Sequence, residues 1–528
     1  IFWGAVHPDW IYTTLNRGAI PSDWTRGKGY TDALYINRYG IYRRIFTVDN
    51  VVSDTLVKPK LNYRVTGRST VKNNPWDLFM YLGQPTGEAR TIINKMGNYQ
   101  WLNKTITFDS TYNFPLNEGQ VYVDFESKNP LTGDQVIGSF SVSNLELSYP
   151  RAFEMEGRAE LFLNLELNSN GKSYIEINNA IQNAIIYDIT DYHNLIEIKH
   201  QRIGDKIQAI IPNTDTKRKL LVVSQDNLQT AESITINNFR QSSDLANYDY
   251  IIITDDELKK PSSSYQDLVQ AYADFRVSAQ GGSFKPLIIT QKEIYDLFAY
   301  GQVTPQATRN FLRYMKTVAN PKFLFLIGKG LRIEYYFDFR SEQSQANASH
   351  KNFISPYGIP SSDNALSQGL RGELPYTPSI PTGRLAARTP EHVENYLSKV
   401  IEHEQTPTDY SWRKNVLQLS GGLKISENVL FKGFIQEFGQ IAENDFLGAN
   451  VTNLSKKTID FVEYINISEE INNGVALLTL FGHASQDYTD VEIGKVTDDQ
   501  LDYHNKGKYP MIVVNGCGSG NIFEGNES

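Results

Sequence analysis

The sequence predicts a multidomain protein in which a β-rich, sandwich-like N-terminal region precedes an α/β domain with a mostly parallel sheet. Three observations predict it. The 528 residues exceed what one ordinary core supports. Before about residue 240, apolar residues come in short β-branched and aromatic runs separated by Gly, Asn, Asp and Pro clusters, as antiparallel sheets require. From Tyr248 onward, wholly apolar runs alternate with helical patterns, as expected of strands covered on both faces.

The first region, residues 1–150, reads as strands at "YGIYRRIFTV", "PKLNYRVTG", "QVYVDFES" and "FSVSNLELSY". Five of the six tryptophans (Trp3, Trp10, Trp24, Trp76 and Trp101) fall here; exposed, such rings bind sugar, but filling a sandwich core is their commoner use. A second β-rich segment and linker occupy 151–240. They run from "PRAFEMEG" to "KLLVVSQ" and then through the irregular "DNLQTAESITINNFRQSSDL". The α/β domain spans 245–528, with strands at "YDYIIIT", "KPLIIT", "KFLFLIG", "NVLQLSGG", "VALLTLFGH" and "PMIVVNGC". In "TPQATRNFLRYM", Thr304 caps a helix, Pro305 suits its first position, and Phe311, Leu312 and Met315 share a face. "TPEHVENYLSKVIEHE" repeats the device at Thr389 and Pro390, with Val393, Tyr396, Leu397, Val400 and Ile401 on one stripe.

Composition narrows the function. The net charge is −9 with no dense basic tract, so nucleic acid is not an expected partner. One cysteine rules out an internal disulfide framework and a multi-thiolate zinc site. With eight histidines and no HExxH pattern, a structural metal cluster is not expected. No apolar run approaches the roughly 18 to 20 residues that span a bilayer. The opening "IFWGAVHPDW" has no Met, charged n-region or apolar h-region, and reads as the interior of a longer precursor.

Ligands of open α/β sheets bind beyond the carboxyl ends of the strands, and two reactive residues occupy that position. His483 follows "VALLTLFG" and Cys517 follows "MIVVNG", 34 residues later. That separation suits one crossover and a return strand, which would project both side chains over one edge. A thiol needs a base less than a hydroxyl does, since its pKa lies near ~8.5 and an imidazolium lowers it. A His–Cys pair can thus form an attacking thiolate without a strict third member. Gly482, Gly516, Gly518 and Gly520 allow sharp turns and expose the N–H donors a developing oxyanion needs. Taken singly, the cysteine reads as a small hydrophobe and the histidine as a structural hydrogen-bonder. Together at successive strand ends they point to nucleophilic catalysis.

"LLTLFGHAS" followed by "KGKYPMIVVNGCGSGNIF" resembles the His and Cys motifs of the gingipain-type cysteine peptidases, family C25. The resemblance continues upstream through "DYIIIT", "FLFLIGKG", "PYGIPSSDNALS" and "IPTGRLAARTPEHVENYLSKV", covering about 245–528. It implies a caspase-like, gingipain-like α/β fold with Cys517 as nucleophile and His483 as general base and acid. The oxyanion donors would be the backbone N–H groups of Cys517 and of Ala484, which stands where the family commonly has glycine. The family's histidine-orienting carboxylate falls near "LSGGLKISENVL". The aligned position holds Ser420, and Glu427 is the only acid of that loop. Glu427 opens a helix, where the dipole favours it in water. A Cys–His dyad is therefore expected, with Glu427 as a secondary candidate for the orienting acid.

In the family further strands and helices follow the cysteine. This sequence runs eleven residues past it, so the resemblance implies an α/β domain truncated at its C-terminal end. The β-rich leader, "NLELSYPR" included, is similar to the branch that acts as the sortase of type IX secretion. That branch implies an endopeptidase or transpeptidase, secreted to the bacterial cell surface and associated with the outer membrane. Its protein substrates would be secreted cargo carrying C-terminal signal domains. Lipopolysaccharide would be a candidate acceptor and an outer-membrane protein a candidate partner. No cofactor is required; a structural calcium ion is compatible, with Asp363 in "SSDNALS" a candidate ligand. Arg384 in "TGRLAAR" is expected to clamp a loop. The rival is a non-catalytic surface adhesin or secretion-machine scaffold carrying a degenerate peptidase domain.

Overall fold

The computed structural model describes residues 35–38 and 41–523, except 53–56, 69–75, 84–90, 98–100, 110–117, 130, 137, 231–232, 234–235, 237, 332–351, 359–360, 375–376, 405–409 and 486. The chain divides into two compact units that meet between residues 237 and 238.

The first unit contains two antiparallel sandwiches. In one, a sheet ordered 35–38, 138–148, 60–68, 101–107 accompanies a sheet ordered 42–47, 120–128, 77–82, 91–97. Their inward residues, among them Leu61, Tyr63, Val65, Leu78, Met80, Phe125 and Phe140, form one core. Trp76 is buried beside them; Trp3, Trp10, Trp24 and the Trp101 side chain lie outside the described residues. The second sandwich sets a four-stranded sheet against a three-stranded one. Its strand Glu160–Leu165 alternates exposed and buried residues without a break, the period of a sheet with one face in a core.

In the second unit, strands and helices are numbered from Tyr250. The strands β1 (Tyr250–Thr254), β2 (Pro286–Thr290), β3 (Phe323–Ile327) and β4 (Thr382–Leu385) form a parallel sheet ordered β2-β1-β3-β4. Ile251 and Ile253 of β1 pack under α2 (Gln291–Ala299) and α3 (Pro305–Val318), through Ile294, Phe311, Leu312 and Met315. Tyr250 and Ile252 face the other way, onto α1 (Leu268–Val277) and α4 (Pro390–Glu404), through Leu268, Tyr272, Val393 and Leu397. Both faces are covered, which is why the strand carries no polar residue before Thr254. Local capping fixes the helix starts. Thr290 and Glu293 close a reciprocal capping box at α2, and the Thr304 hydroxyl accepts from the Gln306 N–H ahead of Pro305 at α3.

Apart from a two-stranded pair, Glu463–Tyr464 with Val491–Glu492, the remaining strands make a second parallel sheet rather than extending the first. It is ordered β6-β5-β7-β8, from β5 (Asn415–Ser420), β6 (Asn450–Ser455), β7 (Leu477–Phe481) and β8 (Met511–Asn515). The sequence expectation of a single sheet missed this division. An apolar run reports burial on both faces, not which other run it pairs with. The helix α5 (Ile425–Ala442) contacts β5 and β6.

Candidate active site

Strands β7 and β8 pair in register from Leu477 with Met511 to Phe481 with Asn515. His483 and Cys517 each lie two residues beyond that last pair, at matched positions over one sheet edge. The Gly482 N–H extends the ladder by one bond, donating to the Asn515 carbonyl at 3.2 Å. The two turns then touch. A Cβ on Gly516 would lie 2.5 Å from the Ala484 Cβ and 3.3 Å from the Gly482 carbonyl oxygen, so only hydrogen fits there. Beyond it, Cys517 is exposed, Gly518 takes a φ of +75°, and the Ser519 hydroxyl donates to the Gly516 carbonyl. Among the described residues, no hydrogen bond joins the Cys517 thiol to the imidazole.

The His483 ring is held by α5. Its Nε2 lies 3.2 Å from Glu427 Oε2, which leaves Nδ1 as the nitrogen able to exchange a proton with the thiol. Phe431 packs against the imidazole at 5.6 Å between centroids. With Phe434 and Phe438 it surrounds Phe481, the last residue of β7. The only sequence signal for this aromatic wall is the i, i+3, i+7 spacing of three phenylalanines on a helix.

Glu427 does more than the solvated carboxylate that its position at a helix start suggests. Its side chain is 24% exposed. The Lys424 side chain offers no cap to α5, and Glu427 reaches back to accept from the Leu423 N–H at 2.9 Å. That N–H does most to hold its carboxyl below the ordinary glutamate value; burial opposes the shift, and His483 and Lys424 add to it. The turn that aims it is Gly421–Gly422, where Gly422 adopts a φ of +144°. Ser420, the aligned position, is fully buried and spends its hydroxyl on Ser455. The N–H groups of Ala484 and Cys517 donate to no other group among the described residues.

Strand β8 is exposed along its whole length but anchored at both ends to elements of the first sheet. Before it, the Tyr509 hydroxyl donates to Glu402 of α4 at 2.6 Å. After Cys517, Lys329 beyond β3 donates to the Ile522 carbonyl, and the Arg384 guanidinium stacks over Phe523. Arg384 also clamps a loop, donating to both Asp363 carboxylate oxygens and to the Gly328 carbonyl. Among the described residues, no three His, Cys, Asp or Glu side chains converge as a metal site would need.

The sequence profile of peptidase family C25 matches residues 243–528. The chain belongs to peptidase family C25. A C25 member is of the cysteine peptidase kind, and His483 and Cys517 both fall inside the matched region. Curated proteins contain no match to the sequence. Among solved structures, dimeric latent PorU from Porphyromonas gingivalis is 13% identical. The match covers 73% of this chain and 37% of that one, with a TM-score of 0.43. The Arg-specific cysteine proteinase gingipain R is 15% identical over 53% of this chain and 56% of that one, at 0.38. A complex of RgpB pro- and mature domains from P. gingivalis is 16% identical over 52% and 57%, also at 0.38. The chain thus spans less than two thirds of each of these structures.

Proposed function

We propose that the chain is a cysteine endopeptidase or transpeptidase in which Cys517 is the nucleophile, His483 the general base and acid, and Glu427 the group that orients the imidazole. The observation that carries this reading is the in-register pairing of β7 with β8, which gives His483 and Cys517 equivalent places at one sheet edge. His483 Nδ1 takes the thiol proton, and the sulfur bonds to the peptide carbonyl carbon. The carbonyl electrons move to oxygen, which the Cys517 and Ala484 N–H groups stabilise. As the adduct collapses, the C–N bond breaks and His483 returns the proton to the leaving amine, so a thioester remains. Water or an amine then attacks the thioester, His483 takes its proton, and the C–S bond breaks to restore the thiol.

The β-rich leader with "NLELSYPR" supports a sortase acting on C-terminal signal domains of type IX cargo at the bacterial cell surface, in association with an outer-membrane partner. Lipopolysaccharide is then the acceptor of the acyl group. A non-catalytic scaffold is the second reading; the thiol's lack of a hydrogen bond to His483 favours it.

Iodoacetamide separates the two, because an ordinary thiol loses reactivity below its pKa near ~8.5 whereas an imidazole-paired thiolate persists. Alkylation of Cys517 at pH 6 is expected to be fast and to collapse in His483→Ala, and Cys517→Ala should abolish cargo processing. Alkylation at a free-thiol rate, indifferent to His483, would establish the scaffold reading.

A further inference from the structure

We infer that Asp490 is a positioning residue that fixes His483 relative to Cys517, an inference that rests on reading that pair as catalytic. Asp490 is fully buried, seven residues past the histidine, where the chain folds back on itself. Ala484 and Thr489 form a bridge, and the Asp490 N–H donates to the His483 carbonyl at 2.8 Å. Asp490 Oδ2 accepts from the Gly422 N–H at 2.6 Å. The next N–H along, that of Leu423, donates to Glu427, and Glu427 meets the His483 ring. The circuit therefore closes: ring to Glu427, Glu427 to one N–H of the turn, the neighbouring N–H to Asp490, and Asp490 back to the histidine's own carbonyl.

The second oxygen explains the glycines around it. Among the described residues Asp490 Oδ1 has no hydrogen-bond partner, and it sits where side chains of Gly421 and Gly482 would be. A Cβ on those residues would come within 2.0 and 2.2 Å of it. Neither glycine is among the residues with positive φ, so the carboxylate's volume, not backbone conformation, keeps both positions bare. A buried carboxylate with an unpaired oxygen is costly, and a hydrocarbon would fill the space without that penalty. What the carboxylate provides is alignment: it holds the turn after β5 and the turn after β7 at one separation, and His483 stands on the second of them.

The test uses the full chain with Asp490→Ala, Gly482→Ala and Asp490→Asn. Each alanine variant is expected to keep KM within about twofold and to lose about thirtyfold in kcat, the scale of a misplaced catalytic group. Cys517 alkylation at pH 6 should fall to the rate seen with His483→Ala. Asp490→Asn keeps an acceptor for the Gly422 N–H and should recover most of the loss. If Asp490→Ala does not fold, Gly482→Ala decides, since it keeps the carboxylate but drives a Cβ into the space that Oδ1 holds. Imidazole NMR resonances of His483 should move in the alanine variants while those of His392 and His403, both on α4, stay. Unmoved His483 resonances with unaltered kcat would overturn the inference. Resonances that move in a chain whose Cys517 never outreacts a free thiol would uphold the Asp490 clamp and sink the catalytic reading instead.

Discussion

Glu427 and Asp490 grip neighbouring N–H groups of one turn, yet only Glu427 touches the imidazole. Glu427→Gln keeps an acceptor for the Leu423 N–H and loses the anion facing the ring. Turnover should fall about ten- to a hundredfold, less than the roughly 10⁴ seen when a serine triad loses its acid, because a thiol ionises near its working pH. A change within twofold would show that the dyad suffices. The same carboxyl predicts a pH effect. Its folded value lies below the ordinary 4.5, so it stabilises the fold above that pH and the contribution is lost as pH falls through the folded value. The melting-temperature gap between Glu427→Gln and the unaltered chain should be present at pH 7 and close in acid; a gap that widens in acid would contradict the assignment. The shared place of Cys517 and His483 at one sheet edge was legible in the sequence because each follows an apolar strand and a glycine. Glu427 was legible only as a secondary candidate, since its contact with the ring depends on how Gly422 bends the chain. Asp490 acts through volume and backbone, neither of which leaves a local pattern.

At the level of elements, what is local was readable and what is paired was not. Thr304 and Pro305 start α3 where the residues say, because a cap and a first-turn proline act within one turn of chain. The buried stripe of that helix, Phe311, Leu312 and Met315, follows from its period. The split into two four-stranded sheets escaped the sequence because strand partners are chosen by distant residues. Phe311 is fully buried between α3 and the first sheet. Phe311→Ala should destabilise the α/β unit by about 3–5 kcal/mol through lost burial and the cavity left behind, read as a lower denaturant midpoint. A loss under about 1 kcal/mol would mean that this face is loosely packed.

Across the whole molecule, the two units meet at residues 237 and 238, next to Ile236, which is 88% exposed. Exposed connectors are cut before packed elements, so limited proteolysis should first cleave between Leu228 and Phe239 and leave two resistant fragments. A first cut within β1 to β3 would refute that division. The anchoring of β8 by Tyr509, Lys329 and Arg384 carries a consequence for endurance under heat. The strand that leads to Cys517 draws its order from two sources, since it pairs with β7 and is tied at both ends to elements of a sheet that contributes neither Cys517 nor His483. Opening of that first sheet would release both ends of β8 while β5 to β7 remain folded. Inactivation on warming should therefore run ahead of bulk melting, and the β8 amides should exchange with deuterium on the timescale of α4 rather than that of β5.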